Sequence, residues 1–149
     1  MPDAAAPRRG TVLGFDFGVR RIGVASGEME TARAHALTVI DQADQAARFA
    51  EIARLVKDWR PVRLVVGLPL ALSGEHHDMT RRAQRFARQL SGRHGLPVDM
   101  VDERLTSVEA ESLIRADRVP RQRRKESVDA LAAQLLLQDY LDRQFTHVN

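Results

Sequence analysis

Residues 14–27 read GFDFGVRRIGVASG and place four glycines around a single acid, Asp16. Together with the apolar residues before it, this stretch predicts two strands, 11–16 and 21–27, joined by a short turn that contains Gly18. Asp16 therefore stands at the end of the first strand. Either the acid serves only the turn, in which aspartate is common, or the turn serves to present the carboxylate.

The residues after this hairpin alternate between helical and strand patterns. The predicted elements are, in order, a strand 34–40, a helix 43–58, a strand 62–69, a helix capped by Asp78 and closed by Gly92 and Gly95, a strand 97–103, a helix from 106 to about 115, and a last helix from a Ser127 cap to about Arg143. An antiparallel meander followed by strand–helix units predicts an α/β fold with a five-stranded mixed sheet flanked by helices.

Length and composition indicate a single globular domain. The chain has 149 residues, of which 44% are apolar, so we expect one domain over 1–149 with a loose tail over 1–9. It has no cysteine, which excludes disulfides and thiolate metal sites and is compatible with a reducing cytoplasm. Because there is no secretory signal and no apolar run of about 18 residues, we expect a cytoplasmic protein with no membrane partner.

Basic residues gather in two blocks, although the formal net charge is only +3. The segment 79–98 has no acid and contains Arg81, Arg82, Arg85, Arg88 and Arg93. The segment 118–125 has five basic residues and no acid, and it falls within 116–126, where no periodicity indicates a helix or strand. We expect that segment to be a loop that clamps a substrate. Such blocks favour a polyanionic partner, although a solvated helix face explains the stripe of Arg81, Arg85 and Arg88 equally well.

Four acids stand at strand ends or near a helix start: Asp16, Asp102, Glu103 and Asp129. If those strand ends are neighbours, the carboxylates converge at one sheet edge, and converging carboxylates need a cation. Mg²⁺ and Mn²⁺ take oxygen ligands and support the hydrolysis of phosphodiesters. Two alternatives stay open. The dipole of the last helix also explains Asp129, and Asp102 and Glu103 are adjacent, so that they point to opposite faces of a strand.

Other kinds of site are not indicated. His76 and His77 are adjacent in a polar segment without a cysteine or a third histidine nearby, so solvent exposure explains them better than metal binding. The role of this pair stays open. The chain has no P-loop, no G-x-S-x-G nucleophile motif and no H-E-x-x-H zinc motif.

Four segments resemble, in order and spacing, the YqgF family, also called RuvX: GFDFGVRRIGVA, VVGLPLALSG, VDERLTS and ESVDALAAQLLLQDYL. The resemblance extends over about residues 11–142. It implies a ribonuclease H-like fold and a divalent-metal phosphodiesterase that acts in maturation of the 5′ end of 16S ribosomal RNA or on branched DNA. It also implies that the catalytic and metal-binding acids are Asp16, Glu103 and Asp129, and so it favours Glu103 over Asp102.

We therefore expect an endonuclease that processes pre-16S rRNA with Mg²⁺ or Mn²⁺ held by these three acids. The residues expected to hold the nucleic acid are Arg20, Arg21, Arg104, Arg121, Arg123, Arg124 and Lys125. One alternative is a resolvase of Holliday junctions or other branched DNA, for which a homodimer would match the symmetry of the substrate. Another is a non-catalytic protein that binds structured nucleic acid. The hairpin also resembles the first phosphate loop of actin-like and sugar-kinase ATPases, but those proteins pair two such domains and this chain has room for one.

Overall fold

The computed structural model describes residues 9–69, 77–102 and 124–146, and in the last segment it describes the side chains of 128–144. The elements are, in order, β1 (Thr11–Asp16), β2 (Arg21–Glu28), β3 (Arg33–Asp41), α1 (Gln45–Trp59), β4 (Arg63–Leu68), α2 (Asp78–His94), β5 (Val98–Asp102) and α3 (Arg124–Thr146). The predicted helix 106–115 and residues 1–8 of the predicted tail lie outside the described residues. None of the helices described is long and apolar enough to cross a membrane.

A mixed sheet of five strands has the order β3-β2-β1-β4-β5. β1 pairs antiparallel with β2, and β2 with β3, whereas β4 runs parallel to both β1 and β5. The expectation of a five-stranded mixed sheet, with a meander followed by strand–helix units, is confirmed. Because β1, β4 and β5 are parallel, their carboxyl ends lie at the same edge of the sheet, and β4 separates the two strands that end in acids.

Each face of the sheet buries its own apolar core. On one face, Leu13 and Phe15 of β1 pack with apolar residues of α1 and α2, among them Phe49 and Phe86. On the other face, Val12 packs with apolar residues of α3, among them Ala133, Leu136, Leu137 and Leu141. Each fully buried large apolar side chain contributes about 1.5–3 kcal/mol to stability. Because side chains alternate along a strand, even-numbered residues of β1 face α3 and odd-numbered residues face α1 and α2.

Three glycines on the α3 side of β1 and β2, which we call the glycine row, leave room for the helix: Gly14, Gly23 and Gly27. A β-carbon on Gly14 would lie 3.0 Å from Cβ of Leu137, and one on Gly27 would lie 2.9 Å from Cδ1 of Leu141. A β-carbon on Gly23 would overlap the carbonyl oxygen of Asp129. These separations are shorter than ordinary van der Waals contacts, so α3 lies this close to the sheet because the three side chains are absent.

The start of α2 differs from the prediction. The sequence predicts Asp78 as the cap, but the cap is His77, whose Nδ1 accepts a hydrogen bond from the amide of Met79 at 3.2 Å. The Thr80 hydroxyl accepts one from the His77 amide at 3.0 Å, which completes a reciprocal capping box. Asp78 is instead the first helical residue, and its Oδ2 lies 3.0 Å from Nε of Arg82. The Asp78 prediction is wrong because the imidazole one residue earlier already accepts from an amide of the first turn.

Of two further helix ends, the predicted closure of α2 at Gly95 is confirmed and the start of α3 lies earlier than predicted. α2 continues past Gly92 and is capped by Gly95, whose φ of 64° is the left-handed conformation typical of a helix end. α3 begins at Arg124 rather than after a Ser127 cap, so its first residues are helical and not, as predicted, part of a loop. The residues from Arg124 to Asp129 include no glycine or proline, and arginine, lysine and glutamate favour helix. Asp129 therefore lies in the second turn of α3 and not in the first.

A hydrogen-bond network connects α3 to strands β4 and β5 of the sheet. The Tyr140 hydroxyl donates to Oδ2 of Asp99 at 2.6 Å, and Nη1 of Arg63 donates to the same oxygen at 2.7 Å. Burial of Tyr140, and then its hydrogen bond to Asp99 and the charge of that carboxylate, raise the pKa of the phenol well above its ordinary value of 10. The network therefore holds α3 most firmly while the phenol keeps its proton.

This network predicts an alkaline limit to stability. The phenol of Tyr140 has a raised pKa in the folded protein and an ordinary pKa near 10 in the unfolded chain. Its contribution to the free energy of unfolding is thus fully present below about pH 10 and is lost as the pH rises towards the folded pKa. Because Tyr140 is the one tyrosine in the chain, the near-ultraviolet absorbance of tyrosinate reports on this residue alone.

At about pH 10.5 we expect tyrosinate absorbance only after denaturant unfolds the protein. The Tyr140→Phe variant keeps the ring and should lose about 1 kcal/mol of stability at neutral pH, measured by urea unfolding. A tyrosinate signal from the folded protein near pH 10 would contradict the assignment of this network.

The glycine row predicts the effect of a single methyl group. Gly23→Ala forces a β-carbon onto the carbonyl oxygen of Asp129, so we expect the free energy of unfolding to fall by about 2 kcal/mol or more. Gly92→Ala is the control, since it lies inside α2 and its β-carbon would meet no atom within 4 Å. That variant should gain about 0.5–1 kcal/mol. Urea unfolding measures both, and a Gly23→Ala protein as stable as the parent would show that α3 does not rest on Gly23.

Candidate active site

Asp16 ends β1 on the face that α3 covers. In the β1–β2 pair it lies opposite Gly23, and its even position puts it on the same face as Gly14. The residue is half-buried. Gly18 permits the tight turn that follows, because a β-carbon there would overlap the carbonyl oxygen of Arg21. The turn thus ends β1 directly after Asp16 and leaves the carboxylate at the edge of the sheet.

Asp129 reaches the same point of the sheet from α3. Its carbonyl oxygen lies against Gly23, the residue opposite Asp16 in the strand pair. Its carboxylate Oδ2 lies 2.6 Å from Nε of Arg21, and the two side chains are 25% and 29% exposed. The structure therefore brings two of the predicted acids, Asp16 and Asp129, together around Gly23.

Arg21 balances the charge of Asp129. A charge-assisted hydrogen bond of this length, largely shielded from water, is stronger than a bond between neutral groups. The sequence analysis expects Arg21 to contact nucleic acid and misses this pair, because 108 residues separate the partners and no local pattern connects them. Arg20 is mostly exposed, and its Nε lies 3.2 Å from Oδ1 of Asp41. Of the two arginines of the hairpin, Arg21 therefore pairs with the candidate acid Asp129, and Arg20 faces the solvent.

Arg48 of α1 holds the turn that follows Asp16. Its Nη2 donates to the carbonyl oxygen of Gly18, and its Cζ lies 5.3 Å from the centre of the Phe17 ring. The side chain is 4% exposed, and its Nε has no hydrogen-bond partner in the part of the chain that the structure describes. Burial lowers the pKa of this guanidinium, which still keeps its charge at neutral pH. The sequence analysis misses Arg48, because nothing in a helical pattern marks one arginine as buried.

The two faces of β5 distinguish the adjacent acids at its end. Val98 and Met100 pack against the core under α1 and α2, whereas Val101 packs against α3. Alternation therefore puts Asp102 on the side of α1 and α2, which is not the side of Asp16 and Asp129. Glu103, which the resemblance favours, lies outside the residues that the structure describes.

Most of the other predicted site residues lie outside the part of the chain that the structure describes. Arg104, Arg121 and Arg123 lie outside the described ranges, as does His76, and the side chains of Arg124 and Lys125 are also not described. Within residues 9–69, 77–102 and 128–144, no three histidine, cysteine, aspartate or glutamate side chains gather as a metal site. Of the three acids that the resemblance implies as ligands, Asp16 and Asp129 lie in the described part of the chain. His77 uses its Nδ1 to cap α2, which gives it a structural role.

Comparison with known sequences adds the family. The model of the RuvX family, described as Holliday junction resolvase, matches residues 10–143. A protein of Methylobacillus flagellatus named "Putative pre-16S rRNA nuclease" is 49% identical over 142 residues, which cover 95% of this chain and 97% of that protein. A protein of the same name from Nitrosomonas europaea is 49% identical over 142 residues, which cover 95% of this chain and 96% of that protein.

Solved structures share the fold at much lower sequence identity. The RuvC structure of Thermus thermophilus has a TM-score of 0.54 at 16% identity, covering 91% of this chain and 96% of RuvC. A Fowlpox virus resolvase, solved with Holliday junction DNA, has a TM-score of 0.56 at 8% identity, covering 90% of this chain and 98% of the resolvase. This likeness confirms the expected ribonuclease H-like fold. The family match over nearly the whole sequence, with relatives that are 49% identical, shows that this chain belongs to the RuvX family.

Proposed function

We propose that this protein is a cytoplasmic, metal-dependent endonuclease that hydrolyses phosphodiester bonds in the 5′-end processing of pre-16S rRNA. The observation that carries the proposal is the meeting of Asp16 and Asp129 around Gly23, at the edge of the sheet where β1, β4 and β5 end. The backbones of the two acids come together there, and carboxylates held near one another favour a divalent cation. The name of the relatives, "Putative pre-16S rRNA nuclease", supports a ribosomal RNA precursor as the substrate.

Glu103 is proposed as the third acid of this site. Glu103 lies outside the residues that the structure describes, and it directly follows β5, which ends at Asp102. The end of β5 also lies at the same edge of the sheet as Asp16. Asp102 points to the other side of the sheet, and this argument together with the family resemblance supports Glu103 as the ligand.

The three acids fit a hard cation, because carboxylate oxygens are the ligands that Mg²⁺ and Mn²⁺ prefer. Asp16, Glu103 and Asp129 would hold one or two such ions, which when bound activate water and stabilise the leaving oxygen of a phosphodiester. Arg21 keeps the Asp129 carboxylate in place and balances its charge. Gly23 lets α3 approach the sheet, so that Asp129 stays beside Asp16.

Basic residues of the hairpin and of the segment 104–125 are proposed to hold the substrate backbone: Arg20, Arg104, Arg121, Arg123, Arg124 and Lys125. Arg20 is the one whose surroundings are described, and its side chain is 73% exposed. An exposed ion pair such as that of Arg20 with Asp41 contributes less than about 1 kcal/mol, so a phosphate can replace the carboxylate. Arg21 already pairs with Asp129 and would reach a phosphate only through its other donor nitrogens.

A second candidate function is the resolution of branched DNA, which the description of the matching family model favours. The same acids would serve, because the bond to be hydrolysed is the same. A resolvase cuts a substrate with two-fold symmetry, so it would act as a homodimer. Cleavage of a pre-16S leader RNA, compared with cleavage of a four-way DNA junction, separates the two candidates.

Removal of either acid should abolish cleavage. We expect Asp16→Asn and Asp129→Asn to lower the initial rate on the cleaved substrate by at least about 100-fold with Mg²⁺ or Mn²⁺, because each removes a charged ligand. Asp139→Asn is the matched control, since Asp139 lies on α3 and forms an exposed pair with Arg143. Its rate should stay within about twofold of the parent. Equal activity of Asp129→Asn and Asp139→Asn would exclude Asp129 as a ligand.

Loss of Arg21 should make stability depend on the divalent ion. Without Arg21 the Asp129 carboxylate loses the cation that it pairs with, so in EDTA we expect Arg21→Gln to lose about 1 kcal/mol. Mg²⁺ or Mn²⁺ should restore most of that loss by binding the same carboxylate. Arg20→Gln is the control, because its exposed pair with Asp41 contributes little. Thermal unfolding with and without the ion measures both, and an Arg21→Gln loss that no divalent ion reverses would contradict a metal at Asp129.

A further inference from the structure

A second charged feature lies on the face of the sheet opposite the candidate active site. The β1–β2 turn, α1 and α2 enclose a cleft of about 640 Å³. The arginines that line it are Arg48, Arg81, Arg82, Arg85 and Arg93. Among the lining residues that the structure describes there is one acid, Asp78, and it already pairs with Arg82 at 3.0 Å. The cleft is therefore strongly positive, and the chemistry proposed at Asp16 and Asp129 uses none of its arginines.

Three of these arginines form a row along α2. Arg81, Arg85 and Arg93 follow each other at intervals of four and eight residues, with Gln89 between, so they share one ridge of the helix. The row is about 18 Å long at a rise of about 1.5 Å per residue. None of the three has an ion pair with a residue in the described ranges. Like charges at this spacing repel each other, so the row favours an anionic partner.

Aromatic rings at the base of the cleft support two of the guanidinium groups. Cζ of Arg93 lies 3.9 Å from the centre of the Phe49 ring, and Cζ of Arg48 lies 5.3 Å from that of Phe17. Phe86 connects the two rings, with centroid distances of 4.9 Å to Phe17 and 6.1 Å to Phe49. A guanidinium held on a ring loses less conformational freedom when it binds a phosphate, whose geometry matches its planar fork.

We propose that this cleft binds the phosphate backbone of a single nucleic-acid strand. Phosphates of a stacked strand are spaced by about 3.4 Å along the axis of the strand. A row of about 18 Å would therefore span the axial length of about five phosphates. A positive groove with aromatic side chains is typical of proteins that bind single strands regardless of sequence. Arg48 adds a charge that is 4% exposed, so that the cation is built into the wall of the cleft.

The cleft also borders the turn that follows Asp16. Its wall includes Phe17 and Val19 of the β1–β2 turn, and Val19 is 56% exposed although it is apolar. Asp16 immediately precedes this turn on the other face of the sheet. A strand in the cleft would therefore pass over the turn towards Asp16. That this strand is the part of the substrate flanking the cleaved bond rests on the proposed function, whereas the binding of a strand does not.

Two matched variants test the cleft. Arg85→Gln removes a cation of the row, and Arg88→Gln removes one from an exposed position of the same helix that does not line the cleft. Both change the net charge equally. Binding of labelled single-stranded RNA and DNA of about 16 nucleotides is measured by fluorescence anisotropy over a range of salt, in EDTA so that no cleavage intervenes.

We expect Arg85→Gln to weaken the binding of one or both strands about fivefold and to lower the slope of log affinity against log salt by about 0.7, the value for one phosphate contact on a single strand. The double variant Arg81→Gln/Arg85→Gln should lower the slope by about twice that amount. Arg88→Gln should leave the slope unchanged. Equal losses in Arg85→Gln and Arg88→Gln would overturn the inference, because net charge would then explain the binding.

Two further results also decide the matter. If the parent is a dimer that Arg85→Gln converts to monomers, the cleft joins two copies of the chain and the inference is overturned.

Cleavage by the parent with Mg²⁺ is measured separately. A protein that binds strands through the cleft and cleaves nothing upholds this inference and contradicts the proposed function, whereas cleavage with unchanged strand binding by Arg85→Gln contradicts this inference alone.

Discussion

The contact between α3 and the glycine row determines both how the sheet packs and where the candidate active site lies. Each of Gly14, Gly23 and Gly27 would place a β-carbon too close to α3, so together they set how near the helix comes to β1 and β2. Gly23 has a further consequence, because its neighbours are Asp16 across the strand pair and the carbonyl oxygen of Asp129 above it. The absence of one side chain therefore brings together two acids that lie at opposite ends of the sequence.

Close approach alone would leave α3 able to slide along the sheet, and four polar contacts between described residues prevent this. One, the Arg21–Asp129 pair, lies near the start of the helix. The other three lie in its second half: the Gln138 side chain accepts from the Ala34 amide and donates to the Ala32 carbonyl oxygen, and the Tyr140 hydroxyl donates to Asp99. Between them the helix is held by apolar packing, which sets its depth but not its register. The polar contacts add the register, so Asp129 is positioned by α3 as a whole.

Periodicity in the sequence predicted the strands, their order along the chain and the mixed sheet, because alternating apolar residues and the turn glycine are local signals. It misplaced the cap of α2 and the start of α3, since a histidine cap and a helix-favouring basic segment give weak local signals. For the site, the end of β1 marked Asp16 as a candidate, and the family resemblance grouped it with Glu103 and Asp129. The Arg21–Asp129 pair and the burial of Arg48 could not be predicted, because both depend on which residues the fold places next to each other.

The sheet also separates charges that would otherwise neutralise each other. Where opposite charges share a face at close range they pair, as Arg21 and Asp129 do at 2.6 Å. The arginine row of α2 lies on the other side of the sheet, so the sheet stands between it and the acids beneath α3. The turn after Asp16 borders both, and the hydrogen bond from Arg48 to Gly18 fixes it. A polyanion attracted by the arginines would thus reach the acids by way of this turn, at the edge of the sheet where β1 ends.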